Sequence, residues 1–188
     1  MKLNPVVTPV FPTDALRWRV GTVRALVLLG AVAAPLLTLV LWTSDDWLRA
    51  VAPQLTGLAA DTRFTIDDRA RAWGAAASLP VLALVLWTLW RLWQLFGEYA
   101  RGQVFSRAAL GHLRGFARGL LALGLAGPLL RTAVALALTV GNPPGQKLLV
   151  LSIDLSDYAQ MLVGAVLLTI AAVMDHAAAL AEDNAGFV

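Results

Sequence analysis

The chain contains no cysteine, so neither a disulfide framework nor a thiolate metal site is open to it. Charge is scarce too. Asp, Glu, Lys and Arg make up 14% of the 188 residues, against about a quarter in soluble domains. Histidine occurs only as His112 and His176, and neither stands at ligand spacing such as i and i+4 with the other, with Asp175 or with Glu182. There is no H-E-x-x-H, no phosphate-binding glycine loop and no G-x-S-x-G. Ser106 has only His112 as a nearby base, six residues on and on roughly the opposite side of a helix. These absences argue against an enzyme and give no reason to expect a metal or cofactor. They also argue against direct nucleic-acid binding, because the basic residues sit at the ends of apolar blocks and not across a soluble face.

What the chain has in quantity is apolar sequence: 59% of residues are hydrophobic and the mean hydropathy is +0.70. It is gathered into four blocks, at about 23–42, 74–95, 116–140 and 158–180, each near the ~20 residues that cross a bilayer as a helix. The expected fold is an all-α integral membrane protein, a single domain built as a four-helix transmembrane bundle. Pro35, Pro80 and Pro128 fall inside blocks. Membrane helices tolerate such prolines as kinks, because neighbours can satisfy the freed carbonyl; a gate at Gly127-Pro128 is the sharper alternative. The first block has the basic flank and small residues of a signal peptide, but apolar sequence continues to Trp42, longer than an h-region, so an uncleaved span is expected.

Arginine gives the orientation. Lys2, Arg17, Arg19 and Arg24 precede the first span, and Arg91, Arg101, Arg107, Arg114 and Arg118 flank the second loop, nine of the 15 basic residues. The richer side faces the cytoplasm, which places both termini and the second loop inside; Arg69 and Arg71 before the second span run against this count. Trp87, Trp90 and Trp93 share one face near the inner end of span two, with Trp18 near the inner surface and Trp42 near the outer one. Tryptophans so placed read as interfacial belts.

The second loop, GEYARGQVFSRAALGHLRGF, has local signals of its own. Gly102 stands where a helix ends in the left-handed conformation. Ser106 is placed to cap the next helix, with Phe105 and Leu110 as the hydrophobic staple. Over 106–118 that helix is amphipathic and runs directly into span three, with Arg107, Arg114 and Arg118 on one face. Such a face is either a collar on anionic headgroups, at about 1 kcal/mol per basic residue near the surface, or a docking face for a cytoplasmic partner.

Arg131 lies inside the third block, where charge is costly and usually paired or functional. Counting back from Val140 places it about 13 Å below the outer end. Asp175, near the inner end of span four, is at the wrong depth to meet it. Arg131 is therefore expected to snorkel outward or to bond carbonyls freed near Pro80 or Pro35, with an ion or ligand pathway as the alternative. In the outer loops, Ser44 reads as the cap of a short helix with Asp45 and Asp46 in its first turn. RFTI (63–66) and KLLVLSID (147–154), the second following GNPPG, are β-prone and suggest a small two-stranded extracytoplasmic cap.

The run LWRLWQLFGEYARGQVFS resembles the signature of an uncharacterised family of small four-span bacterial membrane proteins, domain of unknown function 2975. The likeness extends from about residue 73 to 188. It rests on the leucine-and-aromatic end of span two, the G-x-x-F-[ST] turn of Gly102, Phe105 and Ser106, and the short acidic tail AEDNAGFV. The resemblance implies a bacterial inner-membrane location and, at most, a link to a small helix-turn-helix regulator; it brings no catalytic residues. The expectation is a non-enzymatic sensor or interaction protein in the lipid bilayer that communicates with a cytoplasmic regulator. The alternative is a small transporter or channel subunit, which at this size would act as a homo-oligomer.

Overall fold

The computed structural model describes the backbone of residues 14–57, 66–104, 106–142 and 151–185, and the side chains of these from 18 to 177. Five helices follow one another: α1 (Asp14–Thr43), α2 (Asp45–Thr56), α3 (Asp68–Ala100), α4 (Arg107–Thr139) and α5 (Leu155–Ala185). All but α2 are long and apolar enough to cross a membrane, and the chain is a multi-pass membrane protein. The prolines at 35, 80 and 128 lie inside helices that continue past them.

The spans pack in a row. α3 lies between α1 and α4, and α4 between α3 and α5; among the described residues the backbones of α1 and α4 do not meet, nor do those of α1 and α5. This order follows from where the small residues fall. A Cβ on Gly119 would collide with the Thr88 hydroxyl of α3, and one on Gly115 would lie 3.0 Å from the Arg91 side chain. That small-x-x-x-small spacing admits α3 to one face of α4. Gly164 of α5, whose Cβ would lie 2.9 Å from the Ala117 carbonyl, brings the other neighbour in. α1 keeps a broad apolar face outward, including Leu26, Leu29, Val32, Leu36 and Leu39. Exposed leucines on a spanning helix face lipid, so they need no protein partner.

α2 crosses the end of the row where α1 finishes. Ser44 caps it, accepting from the Trp47 N–H at 3.5 Å, and the Gly57 backbone ends it at φ 68°. Leu48 and Ala52 on its inner face join Trp42, Ala70, Val134 and Leu138 in a buried cluster, and an Arg71–Asp45 ion pair ties the starts of α2 and α3. The last two turns of α4 are therefore covered by α2. Trp42 is not the interfacial anchor expected from its position: it is 7% exposed. Its ring fills the space that Gly74 leaves open, and its Nε1–H donates to Ser78 Oγ at 3.2 Å.

No strand occurs among the described residues, so the two-stranded cap is unsupported. Ile66 and residues 151–154 are irregular, and the rest of the two runs, with most of GNPPG, lies outside the described residues. The backbone of 151–154 has partners of another kind. The Ser152 carbonyl accepts from Arg131, and the Asp154 N–H donates to Asp157. α2 occupies the position over the helices in which the cap was expected.

At the opposite end, α3 turns into α4 through a Schellman motif. Gln103 N–H donates to the Glu98 carbonyl at 3.0 Å and Gly102 N–H to the Tyr99 carbonyl at 3.1 Å, with Gly102 at φ 76°. Ser106 then caps α4, accepting from the Ala109 N–H at 3.1 Å, and α4 runs unbroken from Arg107 to Thr139. Phe105, and with it the staple to Leu110, lies outside the described residues.

Candidate functional site

Arg131 organises the α2 end of the molecule. Its Nη2 donates to the Asp157 carboxylate and, at 3.2 Å, to the Ser152 carbonyl; its Nη1 lies 3.4 Å from Asp154 Oδ2. Asp157 also accepts from the Asp154 N–H at 2.8 Å, and its side chain is 6% exposed. A carboxylate can be buried so deeply only if charged and hydrogen-bonding partners replace its water. Its position in the first turn of α5 helps, since the helix dipole favours negative charge there.

The glycines of α4 make room for this carboxylate. A Cβ on Gly127 would lie 2.7 Å from Asp157 Oδ1, and one on Gly124 would lie 2.9 Å from the Asp157 carbonyl. Gly127-Pro128 is thus a docking notch for the start of α5. The notch also sets the register of α4 against α5. Asp157, third residue of α5, lies level with Gly124 and Gly127, although α4 continues 12 residues beyond Gly127, about 18 Å of helix. Span four therefore starts well below the end of α4.

This corrects the expected surroundings of Arg131. The turns of α4 beyond it pack on α2, and Arg131 shares a cavity wall with Leu41 and Trp42, almost the last residues of α1. Its partners are two aspartates and the Ser152 carbonyl, not carbonyls near Pro80 or Pro35. Asp157 and Asp154 were missed because they precede the fourth apolar block. The available signal was their side of the membrane: both fall on the side towards which Arg131 would snorkel.

The cavity lies where the row of helices leaves a gap. α1 and α4 both pack on α3 without their backbones meeting, and α2 rests on α1 and α4 at one end. The space enclosed is about 420 Å³, lined by Leu37 and Leu41 of α1, Val81 and Val85 of α3, and Leu130 and Val134 of α4, with α2 contributing Gln54 and Leu55. Arg131 is its charged residue, and the Arg131 Nε is fully buried with no acceptor among the described residues.

The other predicted residues gather at the turn end. Arg114 pairs with Asp175 at 2.6 Å, joining α4 to α5, so Asp175 does have an arginine partner, though not Arg131. Arg107, Arg114 and Arg118 lie at the expected spacing on the unbroken α4; Arg107 and Arg118 are exposed, while Arg114 reaches Asp175 of α5. Arg24 of α1 stacks over Trp93 at 3.9 Å, and Arg91 lies within 5.2 Å and 5.5 Å of the Trp87 and Trp90 ring centres. Cation–π contact lets an arginine share the interfacial tryptophan belt. Glu98, a buried carboxylate that no sequence pattern singled out, bonds Arg101 at 2.9 Å. His176 Nδ1 lies 3.0 Å from the Ala172 carbonyl, while the His112 Nδ1 is buried with no partner among the described residues.

A family profile described as protein of unknown function (DUF2975) matches residues 55–186. The chain belongs to this family. Comparison with curated proteins and with solved structures gave no match. The matched DUF2975 region takes in α3, α4, α5 and both ion-pair sites, and begins at the end of α2.

Proposed function

We propose that this DUF2975 protein is a non-enzymatic sensor of the bacterial inner membrane, with both termini cytoplasmic, that signals to a cytoplasmic regulator through the α3–α4 turn. One observation carries the reading. α4, a helix of 33 residues, is tied to α5 by arginine–aspartate pairs at Arg114 and Arg131, about 26 Å apart along its axis. One end borders the cavity and the other bears the exposed arginines beside the turn. A shift of α5 at the cavity end reaches the turn end because the helices between are closely packed on glycine. Between the two sites α4 has no charged residue from Gly119 to Leu130, and α5 none from Tyr158 to Met174. That stretch suits a packed lever better than a polar conduction path.

The test is photo-crosslinking in cells from the exposed Gln103 in the turn, followed by identification of the adduct. A DNA-binding regulator on the crosslink is expected; a crosslink only to further copies of the chain would replace sensing with a homo-oligomeric pore. Orientation is checked separately: alkaline phosphatase fused after Gly57 should be active and fused after Gly102 inactive. The reverse pattern would refute cytoplasmic termini.

A further inference from the structure

We infer that the cavity between α1 and α4 binds one acyl chain of an amphiphile whose polar end, beside Arg131, carries no net charge. Three observations meet there. The volume of about 420 Å³ falls in the range of ligand sites, about 300–1,000 Å³. Its walls are aliphatic along α1, α3 and α4, so they favour hydrocarbon over water. The opening follows from the packing: α3 backs the gap and α2 closes one end, leaving the side between α1 and α4. Both are spanning helices, so that side faces the bilayer and a chain can enter laterally.

The polar end is specified by charge. Thr38 and Ser78, which line the cavity, already donate to the Ala34 and Gly74 carbonyls, and Ser78 also accepts from Trp42. The Arg131 guanidinium already donates to Asp157 and to the Ser152 carbonyl. A carboxylate is the wrong head group beside it, because Asp154 and Asp157 already surround the one guanidinium with two negative charges. The binding step is independent of the proposed signalling, so a failed crosslink to a regulator leaves it standing.

The experiment uses the full chain in lipid nanodiscs and three photoactivatable probes sharing one diazirine-bearing acyl chain: a monoacylglycerol, the free fatty acid at alkaline pH, and a phosphatidylcholine. Saturable labelling of residues 34–42 in α1 or 127–134 in α4 by the monoacylglycerol is expected, with labelling by the fatty-acid anion about tenfold weaker, a difference of 1.4 kcal/mol. Comparable saturable labelling by phosphatidylcholine supports the inference and identifies bilayer lipid as the source; labelling by the monoacylglycerol alone supports it with a free amphiphile as the source. Filling the cavity by Ala34→Phe or Val81→Phe should lower labelling about tenfold, while Leu36→Phe, on the lipid-facing side of α1, leaves it unchanged. Only filled variants that keep the wild-type Tm are compared; competition by unlabelled monoacylglycerol on the unaltered protein tests the same site without a variant. Labelling that never saturates, spreads evenly over the exposed leucines of α1, or favours the carboxylate would overturn the inference.

Discussion

Arginine meets aspartate between α4 and α5 twice, and the two meetings differ mainly in how much water reaches them. At the α2 end Arg131 and Asp157 are 15% and 6% exposed, with Asp154 and a backbone carbonyl completing the shell. At the turn end Arg114 and Asp175 are 35% and 50% exposed. In the first setting each charge depends on the other, since removing one leaves the second stranded in a poor solvent. In the second, water can replace either partner. The notch of Gly124 and Gly127 adds shape to the buried pair and fixes where α5 begins along α4. One arginine–aspartate pair is therefore a buried register pin, while the other is a half-exposed contact.

The sharpest way to break that contrast is to remove the buried acid. Asp157→Ala leaves Arg131 with Asp154 and the Ser152 carbonyl and should destabilise the protein by about 3 kcal/mol, the low end of the range for breaking a buried pair. Unfolding in a graded denaturing detergent would show it, and an unchanged midpoint would mean that water enters the site freely. A smaller loss should follow Gly127→Val, which keeps every charge but pushes a side chain into the space of Asp157; overpacking of this kind typically costs about 1–3 kcal/mol. If Gly127→Val proves harmless while Asp157→Ala does not, charge alone holds the register and the notch is incidental. The smallest effect belongs to Asp175→Asn at the turn end. Exposed ion pairs are worth about 0–1 kcal/mol, so the unfolding midpoint should hardly move. A loss as large as that of Asp157→Ala would erase the distinction between the two ends.

Much of the molecule was readable residue by residue. Hydropathy over some 20 residues marks a span because each apolar side chain enters lipid independently of its neighbours. The cap residues Ser44 and Ser106 and the left-handed Gly102 were legible for the same reason, since each acts on backbone groups within a few positions of itself. The extended ends of α3 and α4 are less visible: charged and small residues there lower the local hydropathy, although the helix continues through them. Trp42 shows the limit. An aromatic at the end of an apolar block reads as an interfacial anchor, yet the small side of Gly74, 32 residues away, draws it inward.

The sequence by itself determined the number of spans, the caps at Ser44 and Ser106, the turn between α3 and α4 and the unusual status of Arg131, all of them properties of short stretches in contact with solvent or lipid. Tertiary structure alone decided what Arg131 meets. Its depth depends on how far α4 extends past α5, and that offset is set by glycine notches on one helix receiving the other. Span-counting aligns every block to one common plane and cannot show such an offset. The cavity depends on the same long-range packing, because a gap between α1 and α4 exists only once both have chosen α3 as their neighbour.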